Sequence, residues 1–328
     1  MKIAFVIGAP VTHSGHGVVS QGMTWKKGLE ERGHEVVLVQ SWNYYDWKSF
    51  DAILFFMHNE FVVDYINAVS KVNPNIYYAP VLDPDFSIFM MKAISNWGCS
   101  RLKIYNRYYK TKRIFPCVKY VLVRSEFEAK YVEKGWNVPK EKILKVPLSF
   151  NLKPEVTNFE RENYCFHASY LADARKNVKR LIDSAKKYGF ELKLAGKLRN
   201  SEEERTIYSW IGDVKNISYL GFLSKEDLLS HYTRAKVFAL PSINEGVGIV
   251  ALDAASMGCD VVITNLGGPQ EYYNGLATPV NPYDIDEIGK AIQSCLNGKT
   301  NQPALQRHIH ENYSLQKISE ILENAFRN

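Results

Sequence analysis

Cysteine is sparse in this sequence and shows no pairing pattern. Five occur, Cys99, Cys117, Cys165, Cys259 and Cys295, an odd number with no C-x-x-C spacing. This argues against a disulfide framework and against a zinc site, and fits a reducing cytoplasm. Long apolar runs are also missing. AILFFM at 52–57 has the length of a strand, not of a membrane span. The amino terminus, MKIAFVIGAP, is apolar for only about six residues before Gly8, too short for a signal-peptide core. Neither sign of charge dominates: 41 Lys and Arg face 35 Asp and Glu, a net +6. That balance permits an anionic ligand or an anionic membrane surface and does not call for nucleic acid; no DNA- or RNA-module signature is present.

What is present is a strand–helix alternation, twice. At 328 residues the chain exceeds the usual single core, so two domains are expected. KIAFVI, HEVVLV, AILFFM, NIYYAPV and KYVLV read as short, continuously apolar strands with helices between most of them. Val18, Gly22, Trp25 and Leu29 fall at helical spacing, and Gly33 stops that helix. Periodicity lapses over 147–163, PLSFNLKPEVTNFEREN, which reads as a linker. The alternation then restarts with NYCFHAS, FELKLAG, ISYLG, KVFALP, DVVIT and LATPV. Near the end, Leu315, Ile318, Leu322 and Ala325 share one helix face. The expected fold is α/β: two doubly wound domains facing across a cleft, residues 1–150 and 151–313. A terminal helix at about 314–328 is a candidate to pack back on the first domain.

The stretch SINEGVGIVALDAASMGCDVV, 242–262, places two acids in an apolar segment. KVFALPS is a strand, so 242–246 form the loop at its carboxyl end, and GIVALDAASM is the following helix, stopped by Gly258. Gly246 and Gly248 mark the turn between them. Glycine allows close backbone approach there, and the first amides of a helix attract anions, so a phosphate is expected at this point. Glu245 and Asp253 stand on roughly the same side, eight residues or a little over two turns apart. They would serve hydroxyl groups flanking the phosphate, a ribose and a sugar. The alternative is that Glu245 caps the helix and Asp253 is solvated.

With AASMG following EGVGIVALD, the stretch resembles the signature of the retaining GT-B glycosyltransferases of glycosyltransferase family 4. The resemblance extends along the chain. YLGFLSKEDLLSHYTRAKVFALPS is similar to the segment leading into that signature. VITNLGGPQEYYNG is similar to the Gly-Gly-x-x-Glu segment after it, and LATPVNPYDIDEIGKAI to the closing strand and helix. ARKNVKRLIDSAKK resembles the phosphate-binding lysine helix, and RGHEVVLV and VRSEFEAKYV match in the first domain.

The resemblance implies an acceptor-side first domain, a donor-binding second domain and a nucleotide-sugar donor. Glu245 would contact the donor sugar near the reacting carbon. The N–H groups of Val247, Gly248 and Ile249, with Gly246 beside them, would hold the distal phosphate, and Asp253 the ribose. Asp253 stands where the family has Glu, one methylene longer. Lys176 matches the lysine that neutralises the leaving diphosphate, a demand that a cation and helix amides can meet without a metal. No metal or other cofactor is therefore expected. Where the family has an arginine this chain has Ser169, which leaves Arg175 as the substitute. Gly267, Gly268 and Glu271 of GGPQE form a second donor-side turn.

In the first domain, SGHG at 14–17 contains Gly15 and Gly17, which would let the loop approach donor or acceptor, with His13 and His16 as loop residues. Where the family often carries a histidine, this sequence has APVLDPDF. Asp83 at that place, and His58 at the end of FFMH, are the first-domain catalytic candidates. Asp83 and Asp85 form a D-x-D pattern of the kind that holds a metal in the other large glycosyltransferase fold. The EGVG helix favours the metal-free architecture, and Asp284 and Asp286 suit a helix start. SRLKIYNRYYKTKRIF, 100–115, has six basic residues, no acid and four interleaved aromatics. It reads as a basic, aromatic helix for an anionic membrane or a diphosphate-linked lipid acceptor, or else as a solvated face. The resulting expectation is a cytoplasmic glycosyltransferase, peripheral to the inner face of the membrane. It would move a sugar to a glycan or lipid-linked acceptor in cell-surface polysaccharide or glycoconjugate synthesis. The competing reading is a nucleotide-sugar-binding protein of the same fold without turnover; an epimerase or phosphorylase on this fold is disfavoured by EGVG.

Overall fold

The computed structural model describes residues 1–8, 17–99, 102, 104–150, 152 and 160–327. The chain divides into two compact units, Met1–Ser149 joined by Leu315–Asn328, and Phe150–Ser314. Much of the expected linker, residues 151 and 153–159, lies outside the described residues, as does Gly15 with the rest of 9–16.

The first unit runs β1 Lys2–Ile7, α1 Gly17–Glu31, β2 Glu35–Leu38, β3 Ala52–Phe56, α2 Glu60–Val69, β4 Ile76–Ala79 and α3 Ile88–Asn96. A two-residue ribbon follows, β5 Gly98–Cys99 with β6 Ile104–Tyr105, then α4 Arg107–Lys112, β7 Tyr120–Val123, α5 Glu126–Lys130 and β8 Ile143–Lys145. Six strands form one parallel sheet in the order β2-β1-β3-β4-β7-β8. Every residue of β3 and β4 is buried, which is why AILFF and IYYA show no alternation: both faces are covered by helices. The Phe56 ring lies 5.2 Å from Phe5 and 5.8 Å from Trp25, which joins the sheet to α1. The edge strand β8 was not anticipated. It has three residues, Ile-Leu-Lys, none fully buried, and so presents no apolar run.

The basic, aromatic stretch, expected as a helix, is divided between β6 and α4. α4 has only six residues because Asn106 caps it, its Oδ1 accepting from Tyr109 N at 3.0 Å. Tyr109 and Phe115 turn inward and are buried, while Ser100, Arg101 and Lys103 lie outside the described residues.

The second unit runs β9 Glu162–Ala168, α6 Val178–Tyr188, β10 Leu192–Ala195, α7 Ser201–Ile211, β11 Ile217–Tyr219, α8 Lys225–Arg234, β12 Ala235–Leu240, α9 Ile249–Ser256, β13 Asp260–Thr264, β14 Thr278–Val280, α10 Ile285–Leu296 and α11 Ala304–Tyr313. Its six-stranded sheet has the order β11-β10-β9-β12-β13-β14 and is parallel throughout. Asp284 caps α10, accepting from Asp286 N at 2.8 Å and Glu287 N at 3.0 Å, so this acid pair serves a helix start.

The last helix, α12 Leu315–Arg327, belongs to the first unit and packs on α1. Gly28 makes that possible, since a Cβ there would lie 1.8 Å from Ser319 Oγ. Glu323 of α12 pairs with Arg32 and Arg327, and the Tyr77 hydroxyl donates to Phe326 O at 3.1 Å.

In each sheet the strand order reverses beside the first strand, between β1 and β3 and between β9 and β12. Ligands of open α/β sheets bind outside the carboxyl ends of the strands at that switch point. The segments leaving β3 and β12 are those that carry His58 and Glu245.

Candidate functional site

In the second unit the loop from β12 to α9 is built around backbone conformations that only certain residues accept. Gly248 is left-handed at φ +76°, and a Cβ there would lie 2.9 Å from Leu240 Cδ2. Both the angle and the space select glycine. Its carbonyl accepts from Ala251 N and Leu252 N, which opens α9. The amides just before those have no partner within the helix, as at the start of any helix, a position that attracts anions. Gly246 and Val247 are buried beneath this turn. The GGPQE turn closes on the same loop: Gly267, at φ +82°, sits where a Cβ would be 2.3 Å from Glu245 O. The two glycine-rich turns therefore touch backbone to backbone. Glu271, on the following short turn, is exposed.

Lys176 and Glu245 meet in this loop. Lys176 Nζ donates to Glu245 Oε2 at 2.6 Å, and Ser242 Oγ donates to the same oxygen at 3.2 Å. The side chains are 21% and 12% exposed, enough for a ligand to reach but well shielded from screening. Lys176 ends a short turn, Ala174–Lys176, and Arg175 O accepts from Ile243 N at 2.8 Å, which lashes this turn to the Glu245 loop.

Asn177 completes the lashing. It is left-handed at φ +58° and buried, and its Nδ2 donates to Pro241 O at 2.9 Å and Pro282 O at 2.6 Å. Its Oδ1 accepts from Arg180 at 2.9 Å. One side chain thus ties the start of α6 to the loops after β12 and β14. Sequence reasoning missed Asn177; an asparagine just before a helix, where a left-handed residue suits, was the available signal.

The remaining candidates take distinct places. Arg175 is exposed and forks onto Asp173, with Nη2 to Oδ2 at 2.7 Å. Asp253 is buried inside α9. Burial chiefly pushes the Tyr273 hydroxyl well above its usual range, and the Glu245 and Asp253 carboxylates add to it, so both acids bear on that ring. Ser169 follows β9, and its hydroxyl lies 2.7 Å from His167 Nε2. His167 is fully buried, with Nδ1 2.7 Å from Ala239 O. The carbonyl accepts from Nδ1–H, so Nε2 accepts from Ser169. Burial holds this imidazole down to about 4. His167 was also missed, because a lone histidine in an apolar strand gives no signal.

In the first unit, His58 stands just past β3 among Tyr108 and Trp136, with ring centroids at 5.3 and 6.2 Å. Burial, and then Arg107, hold it down to about 4. Met57 and Val81 are left-handed, at φ +75° and +54°. For a β-branched valine this is a strained conformation of the kind found at functional sites. Asp83 is engaged: its Oδ1 accepts from Arg124 Nη2 at 2.7 Å. Arg124 also donates to Glu128 Oε2 at 2.9 Å and to Leu82 O at 2.8 Å, and buried Glu128 accepts from Leu82 N at 2.6 Å. This buried clamp holds Leu82 and Asp83. Asn59, which caps α2, donates to Gly8 O at 2.9 Å. Gly17 begins α1 with open space around it.

Comparison with known proteins places this geometry. The family described as glycosyl transferases group 1 matches residues 150–314, the whole second unit. The O-antigen chain mannosyltransferase RfbU of Salmonella typhimurium is 26% identical over 195 residues, 58% of this chain and 55% of that protein. The serotype-specific mannosyltransferase WbdA of Escherichia coli is 26% identical over 147 residues, 42% of this chain and 18% of that one. The chain thus spans between a fifth and about half the length of these curated relatives. Among solved structures, sucrose-phosphate synthase from Thermosynechococcus elongatus superposes with a TM-score of 0.77 at 16% identity, covering 100% of this chain and 98% of that one. Anabaena HepE, solved with UDP and glucose, gives 0.72 at 15%, covering 100% and 99%. These likenesses establish the two-unit α/β fold, and with the family match they identify the chain as a member of the glycosyl transferases group 1 with the GT-B fold.

Proposed function

We propose that this chain is a retaining glycosyltransferase of family 4. It would move a sugar from a nucleotide-diphosphate sugar to a glycan or lipid-linked acceptor in cell-surface polysaccharide or glycoconjugate synthesis. The observation that carries the reading is the Lys176–Glu245 pair beside the Gly248 turn. Without donor, cation and carboxylate neutralise each other. A sugar diphosphate offers each a better partner: phosphate oxygens for Lys176, sugar hydroxyls for Glu245. The amides of Val247, Gly248 and Ile249 add dipoles aimed at the phosphate, and charge building on the leaving diphosphate is what must be stabilised. Asp253 takes the ribose hydroxyls in this reading.

His58 and Asp83 act on the acceptor in this proposal. His58 is neutral at physiological pH and can accept a proton or a hydrogen bond, while Asp83, gripped by Arg124, positions the loop more than it moves protons. The mannosyltransferase names of the relatives, with a further relative from Corynebacterium glutamicum described as GDP-mannose-dependent, favour a mannosyl donor carried on GDP. No divalent ion takes part. A second reading, nucleotide-sugar binding without turnover, rests on Arg175 turning to Asp173 and on the shorter acid at 253.

The deciding experiment is a thermal-shift panel of GDP, UDP, ADP, TDP and CMP in EDTA, followed by donor turnover. A ligand at a hundred times its dissociation constant adds about 2.7 kcal/mol. Stabilisation by one diphosphate and turnover of its sugar support the proposal. Stabilisation without turnover, across lipid-linked and glycan acceptors, moves the conclusion to the second reading. A shift that appears only when magnesium replaces EDTA contradicts the metal-free mechanism.

A further inference from the structure

Ser169 is half-buried at the carboxyl end of β9, beside the switch point of the second sheet. Cys165 and His167 project from one face of β9, because strand side chains alternate. Cys165 packs in one core with Val178, Leu181 and Ile182 of α6. The Ser169 hydroxyl, 2.7 Å from His167 Nε2, therefore lies at the carboxyl end of the sheet face that α6 covers. The short turn before α6 ends in Lys176.

The surroundings of this hydroxyl are fixed on both sides. Towards β10, Ser169 N donates to Ala195 O at 3.1 Å, and a Cβ on Gly196 would lie 1.8 Å from Ser169 O. Towards β12, strand pairing runs to Phe166 and Phe238, and His167 Nδ1 reaches the carbonyl one residue further on, Ala239 O, at 2.7 Å. The imidazole lies parallel to the Phe238 ring, with 8° between the planes. Burial chiefly, with the Lys176 charge adding to it, keeps it neutral at physiological pH.

A neutral imidazole has a single N–H. With that hydrogen given to Ala239 O, Nε2 is a bare acceptor, and the one hydrogen of the Ser169 hydroxyl goes to it. What Ser169 offers a ligand is therefore an oxygen lone pair. A hydroxyl group matches it; an ionised phosphate oxygen, which can only accept, does not. The arginine that the family has at this place can only donate, so this chain has reversed the polarity of the position.

We propose that Ser169 recognises a hydroxyl group on the sugar of the donor by accepting its hydrogen bond, and that His167 is the positioning residue that makes Ser169 an acceptor. The inference rests on the proposed function for the presence of a nucleotide-sugar donor. There the phosphates go to Lys176 and the α9 amides, which leaves the sugar as the hydroxyl source for Ser169. A sugar lacking that hydroxyl would leave the Ser169 oxygen without its partner, so the position discriminates between donor sugars.

The test is calorimetric titration of the wild-type chain, Ser169→Ala and Ser169→Thr with GDP and GDP-mannose, and with UDP and UDP-glucose. Ser169→Ala should keep the wild-type affinity for the nucleoside diphosphate that binds and lose about three- to tenfold for its sugar, and Ser169→Thr should restore it. Nitrogen NMR of the histidine side chains gives a readout independent of turnover. His167 Nε2 should resonate as an unprotonated nitrogen. It should shift on adding the nucleotide sugar and not the diphosphate, because a hydroxyl that accepts a bond donates its own more strongly. In Ser169→Ala that shift should vanish. Wild-type affinity of Ser169→Ala for the nucleotide sugar, or a protonated Nε2 in the wild-type chain, overturns the proposal. So does an equal loss for diphosphate and sugar, which would put the partner on the nucleotide. A wild-type chain that binds neither pair removes the donor-site reading and this inference with it, whereas wild-type binding that Ser169→Ala leaves unchanged removes this inference alone.

Discussion

Lys176 Nζ lies 2.6 Å from Glu245 Oε2, across 69 residues of sequence, and each side chain neutralises the other's charge. In the proposed function, a cation and an anion so placed compete with substrate as well as prepare for it.

That competition separates two substitutions. If Lys176 holds the diphosphate as proposed, Lys176→Ala should weaken nucleotide diphosphate binding by about 1.5–3 kcal/mol, ten- to a hundredfold. Glu245→Ala frees the lysine, so binding should hold or tighten while transfer falls by at least about a hundredfold. Calorimetric titration and initial rates on both variants, with the double variant closing the cycle, decide it. Wild-type affinity in Lys176→Ala would remove the lysine from the diphosphate site.

Asn177 gives a prediction with an internal control. Asn177→Gly keeps the left-handed angle and loses both hydrogen bonds to Pro241 O and Pro282 O, at a cost of about 1–3 kcal/mol. Asn177→Asp keeps the shape but aims a carboxylate at two carbonyl oxygens, and should be the less stable of the two. Because the asparagine fixes the turn that ends in Lys176, both should raise KM for donor more than they lower kcat. Urea unfolding and donor kinetics, run side by side, show whether the ranking is right.

The two glycine turns should fail differently. Gly248→Ala meets a movable Leu240 methyl at 2.9 Å, besides its left-handed angle, and should cost about 1–2 kcal/mol. Gly267→Ala meets the Glu245 carbonyl at 2.3 Å, which is backbone and cannot rotate away. It should displace Glu245 and reduce transfer more than Gly248→Ala does. Transfer rates that rank the other way would mean that the contact between the turns does not hold Glu245.

Stability should fall on mild acidification because of His167. The folded unit keeps this imidazole neutral down to about 4, against 6.5 for an ordinary histidine. Below 6.5 the unfolded chain gains a proton that the folded unit refuses. The contribution is therefore complete above pH 6.5 and is lost progressively towards pH 4, on the order of 3 kcal/mol. His58 adds a similar slope in the first unit. His167→Gln should flatten the second unit's loss between those limits in urea titrations, and an unchanged slope would rule His167 out as its source.

The sheets were legible because both faces are covered: AILFF and IYYA are continuous apolar runs that need no partner to be seen. The EGVG loop was legible because the glycines, the acid and the helix lie within a dozen residues. Asn177 was not, since its two acceptors are backbone carbonyls 64 and 105 residues away, and a carbonyl has no residue type to notice. The Arg124–Glu128 clamp hid for a related reason. The pair reads as an ordinary helix ion pair at i,i+4 until the fold brings Leu82 and Asp83 onto it. The 100–115 segment misled because alternating bases and aromatics look alike whether the rings face water or the core.

The return of α12 to α1 sets an order on how the chain is made. Translation delivers residues 1–149 first, yet their unit lacks the helix that covers Gly28 and Tyr77 until residue 327 has left the ribosome. The second unit, though later in the sequence, has all its parts as soon as residue 314 emerges. The half that carries Lys176 and Glu245 can therefore mature while the half that carries His58 still waits for its last piece.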